Sequence, residues 1–273
     1  MTDRATAKDY LQEVGSRPDA EIDLFESALA LAALDRPRTD LGPYREHAAD
    51  LARDLGNAIA RTVPVSEALA DVLSAGHGYV GDTLTYDDSQ NANLIRVIDR
   101  RKGLPVALGI LYIHAARRHG IEAEGLNFPG HFLIRIGTGA KRVILDPFNG
   151  GLERNAADLR DLLKATAGLA AELEPAHYEP VGNRDILIRL QNNIKARHQR
   201  AGNIEEALRT VEGMLLFAPD AMALWREAGV LNARLGKIAA AVRAFEIIAE
   251  RADSAAARTD AAAIVARLRT RLN

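Results

Sequence analysis

The chain has 273 residues and no cysteine. That absence removes disulfides, Cys-ligated zinc, iron–sulfur clusters and every mechanism in which a protein thiolate attacks. It also fits a reducing compartment. An excess of charge is missing too: Lys plus Arg number 35 against 37 Asp plus Glu, a formal net charge of −2. Without a basic excess there is no electrostatic footprint for nucleic acid or an anionic membrane, and neither is an expected partner. No uncharged apolar run approaches the ~20 residues that cross a bilayer. Residues 1–16 carry Asp3, Arg4, Lys8, Asp9 and Glu13 and lack the apolar centre of a secretory leader, so the expected location is cytoplasmic. No Gly-x-Gly-x-x-Gly or Walker pattern opens a helix, and the seven histidines show no metal-ligand spacing. Neither a cofactor nor a metal is expected.

What is present reads as two regions. Up to about residue 75 the chain has helical periodicity: Ile22, Phe25, Leu29, Leu31 and Leu34 share a face behind Asp19, the expected cap. A second helix is expected over residues 43–62 and a short one over 66–74. A loop through Gly76, Gly78 and residues 82–91 separates these from a helix over 93–101 that Gly103 stops. Residues 105–119 read as a buried helix with Pro105 at its first position. Strands are expected over 121–126, 132–136 and 141–145, the last two forming a hairpin through Gly137 and Gly139. A helix over 156–167 and an irregular stretch complete a domain of residues 1–180.

From residue 181 the strand signals vanish. Gly202 and Gly236, Ala207 and Ala241, and Leu190 and Leu224 recur 34 residues apart, each unit reading as helix, turn, helix. That period and pattern resemble the tetratricopeptide repeat, so residues 181–273 are expected to form paired helices closed by a capping helix over 254–272.

Chemistry concentrates at the hairpin. A turn centred between Thr138 and Gly139 sets His131 opposite Asp146, with both side chains on one face. Such a carboxylate fixes the imidazole tautomer and raises its basicity, as in a catalytic dyad. The plainer reading makes His131 a hydrogen-bonded core histidine and Asp146 a turn residue before Pro147. Tyr86, Asn91, Arg101, Asn127 and Asn149 are candidates to line a cleft near His131, or to satisfy turn backbone. Ser74 and Ser89 lie on nearby loops, but no Gly-x-Ser-x-Gly elbow makes either a nucleophile.

Gly103-Leu104-Pro105, a buried helix ending Arg118-His119-Gly120-Ile121, then His131 and Asp146, resemble the transglutaminase-like superfamily. The closer resemblance is to its SirB-type subgroup, carried by Arg101-Lys102-Gly103-Leu104-Pro105, Asn127-Phe128-Pro129-Gly130-His131-Phe132 and Asp146-Pro147-Phe148-Asn149-Gly150-Gly151. The resemblance implies an α+β papain/transglutaminase-like core, helices plus a small antiparallel sheet, followed by an all-α tetratricopeptide-like domain. It implies a Cys–His–Asp site in which His131 and Asp146 hold the His and Asp positions and Pro105 holds that of the nucleophile. Proline has no nucleophilic atom, so thioester chemistry is excluded. Two functions remain open: a non-catalytic module that binds a protein or peptide through the cleft and the repeats, and a hydrolase in which the His131–Asp146 pair activates water.

Overall fold

The computed structural model describes residues 4–61 and 63–270. The first helix, α1 (Arg4–Gly15), is followed by α2 (Leu24–Asp35) and α3 (Gly42–Ile59). The cap of α2 is Asp23, which accepts the Glu26 N–H at 2.9 Å, and not Asp19. Asp19 works elsewhere. Its two carboxylate oxygens accept the backbone N–H groups of Asn183 and Arg184 at 2.8 Å each, capping a helix 164 and 165 residues away.

The short helix α4 (Val65–Leu69) runs into a π-helical segment, Ala70–Gly76. Then come β1 (Val80–Gly81), α5 (Leu94–Arg100) and β2 (Lys102–Gly103), the two strands pairing in parallel. Arg101, in the left-handed region at φ 58°, ends α5, so the helix stops two residues before the glycine expected to stop it. The central helix α6 (Pro105–Arg117) is apolar nearly all round, and eleven of its residues are buried. Gly109 lets the sheet approach it: a Cβ there would lie 2.5 Å from the Phe132 ring.

The sheet comprises β3 (Ala123–Leu126), β4 (Ile134–Ile136), β5 (Val143–Asp146), β6 (Leu152–Glu153) and, after α7 (Ala156–Ala167), β7 (Pro180–Val181). Its order is β6-β5-β4-β3-β7, with every neighbouring pair antiparallel. Four two-residue strands, β1, β2, β6 and β7, were not foreseen; a strand that short has no periodicity to read.

Helices α8 (Asn183–Arg200), α9 (Ile204–Phe217), α10 (Met222–Arg234), α11 (Ile238–Arg251) and α12 (Ala255–Arg269) follow. The expected helix ends at residues 62 and 272 lie outside the described residues. Residues 18–190 form one compact unit, while the chain from residue 191 onward joins residues 8–17 in a second. That division falls inside α8, whereas the sequence suggested one boundary at 180/181. Gly15 explains part of it, because a Cβ there would meet the Leu216 carbonyl at 2.5 Å. The whole is α+β: a mostly helical core around a small antiparallel sheet, then helices alone.

In the helical unit the repeat shows as equivalent geometry. Gly202 and Gly236 both turn the chain at positive φ, 73° and 71°. Ala207 and Ala241 are both wholly buried. Ala207→Phe is therefore expected to lower stability by ~1–3 kcal/mol through overpacking. Urea unfolding of the full chain reads this; an unchanged midpoint would mean that the inter-helix space at Ala207 is not tight.

Candidate functional site

Strand pairing sets Ile134 opposite Leu145 and Ile136 opposite Val143, which centres the turn one residue later than expected. The cause is local: Gly137 and Gly139 both take positive φ, and a 3-10 turn over Gly139–Lys141 lengthens the loop. The slide of two pairing positions keeps every side chain on its face. His131 lies outside the ladder, just after Gly130 at φ 69°. From there its Nε2 reaches Asp146 Oδ1 at 2.8 Å, diagonally across the end of the hairpin. The contact exists, though not in the register that suggested it.

The loop bearing His131 is held from below. Arg189 of α8 donates to the carbonyls of Phe128, at 2.8 Å, and His131, and its guanidinium lies 5.4 Å over the Phe132 ring. Thr166 of α7 donates to the Pro129 carbonyl at 3.2 Å.

Asp146 ends β5 and is 0% exposed. Besides His131, it accepts from the Asn149 side chain at 2.8 Å and backbone at 3.3 Å, and from Arg154 through Nη2 at 2.8 Å and Nε at 3.2 Å. Burial pushes its carboxyl up, but the donors from His131, Asn149 and Arg154 outweigh burial and hold it at about 2. The carboxylate is thus ionised at neutral pH, which makes His131 Nε2 the protonated nitrogen. Nδ1 makes no hydrogen bond among the described residues. The His131 side chain is 12% exposed.

Around this pair the surface is aromatic. The Phe148 ring lies edge-on to His131, centroids 6.0 Å apart, and to Tyr86, 5.8 Å apart. Tyr86 is 41% exposed and Leu84, two residues earlier, 88%. Beneath lies Tyr112 of α6, fully buried, its hydroxyl without a hydrogen-bond partner among the described residues. Burial, and then the Asp146 charge, push that hydroxyl's pKa up. Gly151, at φ 81°, makes room for it: a Cβ would stand 3.1 Å from the hydroxyl oxygen.

The other candidate residues divide. Asn149 belongs to the Asp146 cluster and Tyr86 to the aromatic rim. Asn91 is fully buried with both amide atoms occupied, donating to the Thr85 carbonyl at 2.7 Å and accepting from Arg100 at 2.9 Å. It fixes the loop, together with Asp82, which takes Thr85 and Arg100 as donors and is held well below the usual carboxylate range by them. Its backbone carbonyl also accepts the Leu104 N–H at 2.8 Å, which places the start of α6. Arg101 turns to His47 and the Tyr79 hydroxyl, its guanidinium 4.9 Å above the Tyr79 ring. Asn127 is exposed and tied by its backbone to Glu179. Pro105 is the buried first residue of α6. Phe148 and Arg154 were missed as site residues, because neither carries a local signal for its contact with His131 or Asp146. Among the described residues no group of three His, Asp or Glu side chains could hold a metal ion, and no helix is long and apolar enough to cross a membrane.

Residues 43–192 match the transglutaminase-like superfamily, and residues 194–273 match the tetratricopeptide repeat. A UPF0162 protein of Xylella fastidiosa (strain Temecula1) is 33% identical over 162 residues, 58% of this chain and 58% of its own length. The match thus spans less than two thirds of that relative. A UPF0162 protein of Vibrio cholerae is 32% identical over 203 residues, covering 73% of this chain and 75% of its own. F-box only protein 21 of Mus musculus is 35% identical over 85 residues, 31% of this chain and 14% of its own. The fold around His131 and these matches agree, and the chain belongs to the transglutaminase-like superfamily, among the UPF0162 proteins, with tetratricopeptide repeats after its core.

Proposed function

We propose that the protein is a non-catalytic transglutaminase-like module that binds a protein or peptide and acts as an interaction or regulatory component. One observation carries this reading: the chain has no cysteine, and the position where the superfamily pattern has its nucleophile is Pro105, the buried first residue of α6. Asp146 supports it, since three side chains consume its carboxylate and make it the anchor of a rigid turn. The aromatic rim of Phe148 and Tyr86 offers contact surface beside His131, with Tyr86 and Asn127 as the proposed contact residues. Tetratricopeptide repeats are a usual platform for protein partners. A cytoplasmic setting belongs to the same reading, and the absence of cysteine is compatible with it.

A second reading has one specific observation in its favour. His131 Nδ1 makes no hydrogen bond among the described residues and the side chain is 12% exposed, which leaves a ring nitrogen for a base acting on water in a hydrolase. The two readings separate in one experiment. The full chain and His131→Ala are incubated with a panel of esters and peptide amides, and with peptides selected for binding from a random display library. The expected outcome is equal background turnover in both proteins and selected peptides whose affinity falls tenfold or more in Tyr86→Ala. Turnover that His131→Ala abolishes would overturn the non-catalytic reading.

A further inference from the structure

The core contains a second His–Asp pair. His77, which follows the π-helical segment, sets Nε2 2.9 Å from Asp54 Oδ2 of α3. The pair lines a cavity of about 460 Å³ between the last turns of α3 and the π-helical segment. That volume lies within the range of small-molecule sites. The segment itself is unusual, because π-helical turns are rare and concentrate where side chains must be re-aimed for function.

The cavity's charges are of both signs and are not spent on each other. Arg61, just beyond α3, and Asp71, in the π-helical segment, both line it, and neither has an ion-pair partner among the described residues. Asn57 adds an amide with no hydrogen bond among the described residues, while Val63 and Val72 supply apolar wall. Behind His77 the structure is fixed: the His47 ring lies edge-on to it at 5.4 Å, and His47 Nε2 is 2.8 Å from the Tyr79 hydroxyl. Burial first, then Arg101 and His77, bring His47 down to about 4, so it adds no charge to the cavity at neutral pH.

A lone anion in this space would meet Asp54 and Asp71; a lone cation would meet Arg61. A molecule with an ammonium at one end and a carboxylate at the other satisfies both, with its methylenes against the valines. We propose that the cavity is a binding site for a small zwitterion of the amino-acid class, held by Asp71 at its ammonium and by Arg61 at its carboxylate. Half-exposed ion pairs contribute little each, so the expected Kd is on the order of 1 mM.

The test is a nitrogen–proton NMR titration of the full chain, following the His77 ring and the Asn57 side-chain amide. Glycine, β-alanine and 4-aminobutyrate vary the charge separation; n-butylamine and butyrate each carry one charge. At least one zwitterion is expected to bind saturably, at least tenfold tighter than either single-charge compound. Asp71→Asn and Arg61→Gln should each weaken it fivefold or more, and Glu212→Gln in the helical unit should leave it unchanged. Both cavity residues are exposed, so the variants keep the fold. No saturable binding, equal binding of amine or carboxylate alone, or indifference to both cavity substitutions would overturn the proposal.

Discussion

Asp146→Ala is expected to destabilise the protein by ~3–5 kcal/mol. The substitution leaves the His131 Nε2–H, the Arg154 guanidinium and the Asn149 amide around a buried void with no acceptor. Removing one partner of a buried charge cluster costs more than the cluster contributes, because the remaining donors stay desolvated. Asp146→Asn keeps one acceptor oxygen and should cost less, about 1–3 kcal/mol. Urea midpoints at pH 7 measure both; an alanine variant within 1 kcal/mol of the native chain would show that the cluster does not hold the turn. The same cluster predicts an acid limb. The folded Asp146 carboxyl titrates at about 2 against an ordinary 3.8, so the unfolded chain binds more protons between those values. Stability therefore falls as pH drops from about 4 to 2, by ~2 kcal/mol from this group. Asp82 is shifted in the same direction, so Asp146→Asn should flatten the acid limb without abolishing it.

How far the sequence revealed this arrangement varies by element. The buried helix α6 was legible because its apolar side chains go all round and Pro105 marks its start. The repeat helices were legible because glycine and alanine recur at one period. The hairpin was legible as a pair of strands but not in register, since two glycines at positive φ permit several loop lengths and nothing in their neighbours selects one. The His131–Asp146 contact survived that error because a slide of two positions preserves the face. For Asn91 and Arg101 the sequence left two roles open, lining a cleft or satisfying turn backbone; Asn91 bonds inside its own loop and Arg101 joins the His47–Tyr79 group. Asp19 looked like a local cap because the helix it precedes was the only one in view. Its true partners lie at the far end of the core, where no local pattern points.

Pro105→Cys is expected to give a thiol that a small alkylating agent such as iodoacetamide modifies about tenfold faster at pH 7 than Thr138→Cys in the exposed hairpin loop. Proline at the first turn of α6 has no N–H to lose, and cysteine there leaves only one more donor at an end where donors are already unpaired. The substitution should cost no more than about 1 kcal/mol, through the freer unfolded chain. The helix start lowers the thiol pKa, and at the superfamily's nucleophile position the His131 imidazole lowers it further. His131→Ala in the Pro105→Cys background should then slow the reaction severalfold. Ordinary reactivity, indifferent to His131, would show that Pro105 does not occupy the nucleophile position of the superfamily pattern. Fast alkylation without any acyl-transfer or hydrolytic turnover would fit a protein that keeps the architecture for binding.

The long-range cap at Asp19 also bears on how the protein is made. During synthesis the N-terminal helices leave the ribosome first, at roughly 5–20 residues per second. Asp19 must then wait for Asn183 and Arg184, while Val181, the partner of Gly125 on the outer strand, emerges only just before them. Arg189, which fastens the His131 loop, comes later still. The core is therefore a clasp that shuts only when the first turns of α8 arrive, and a nascent chain stalled near residue 180 would present an open sheet edge and an untethered loop. Such a stalled chain should be cut by protease at the His131 loop faster than the finished protein.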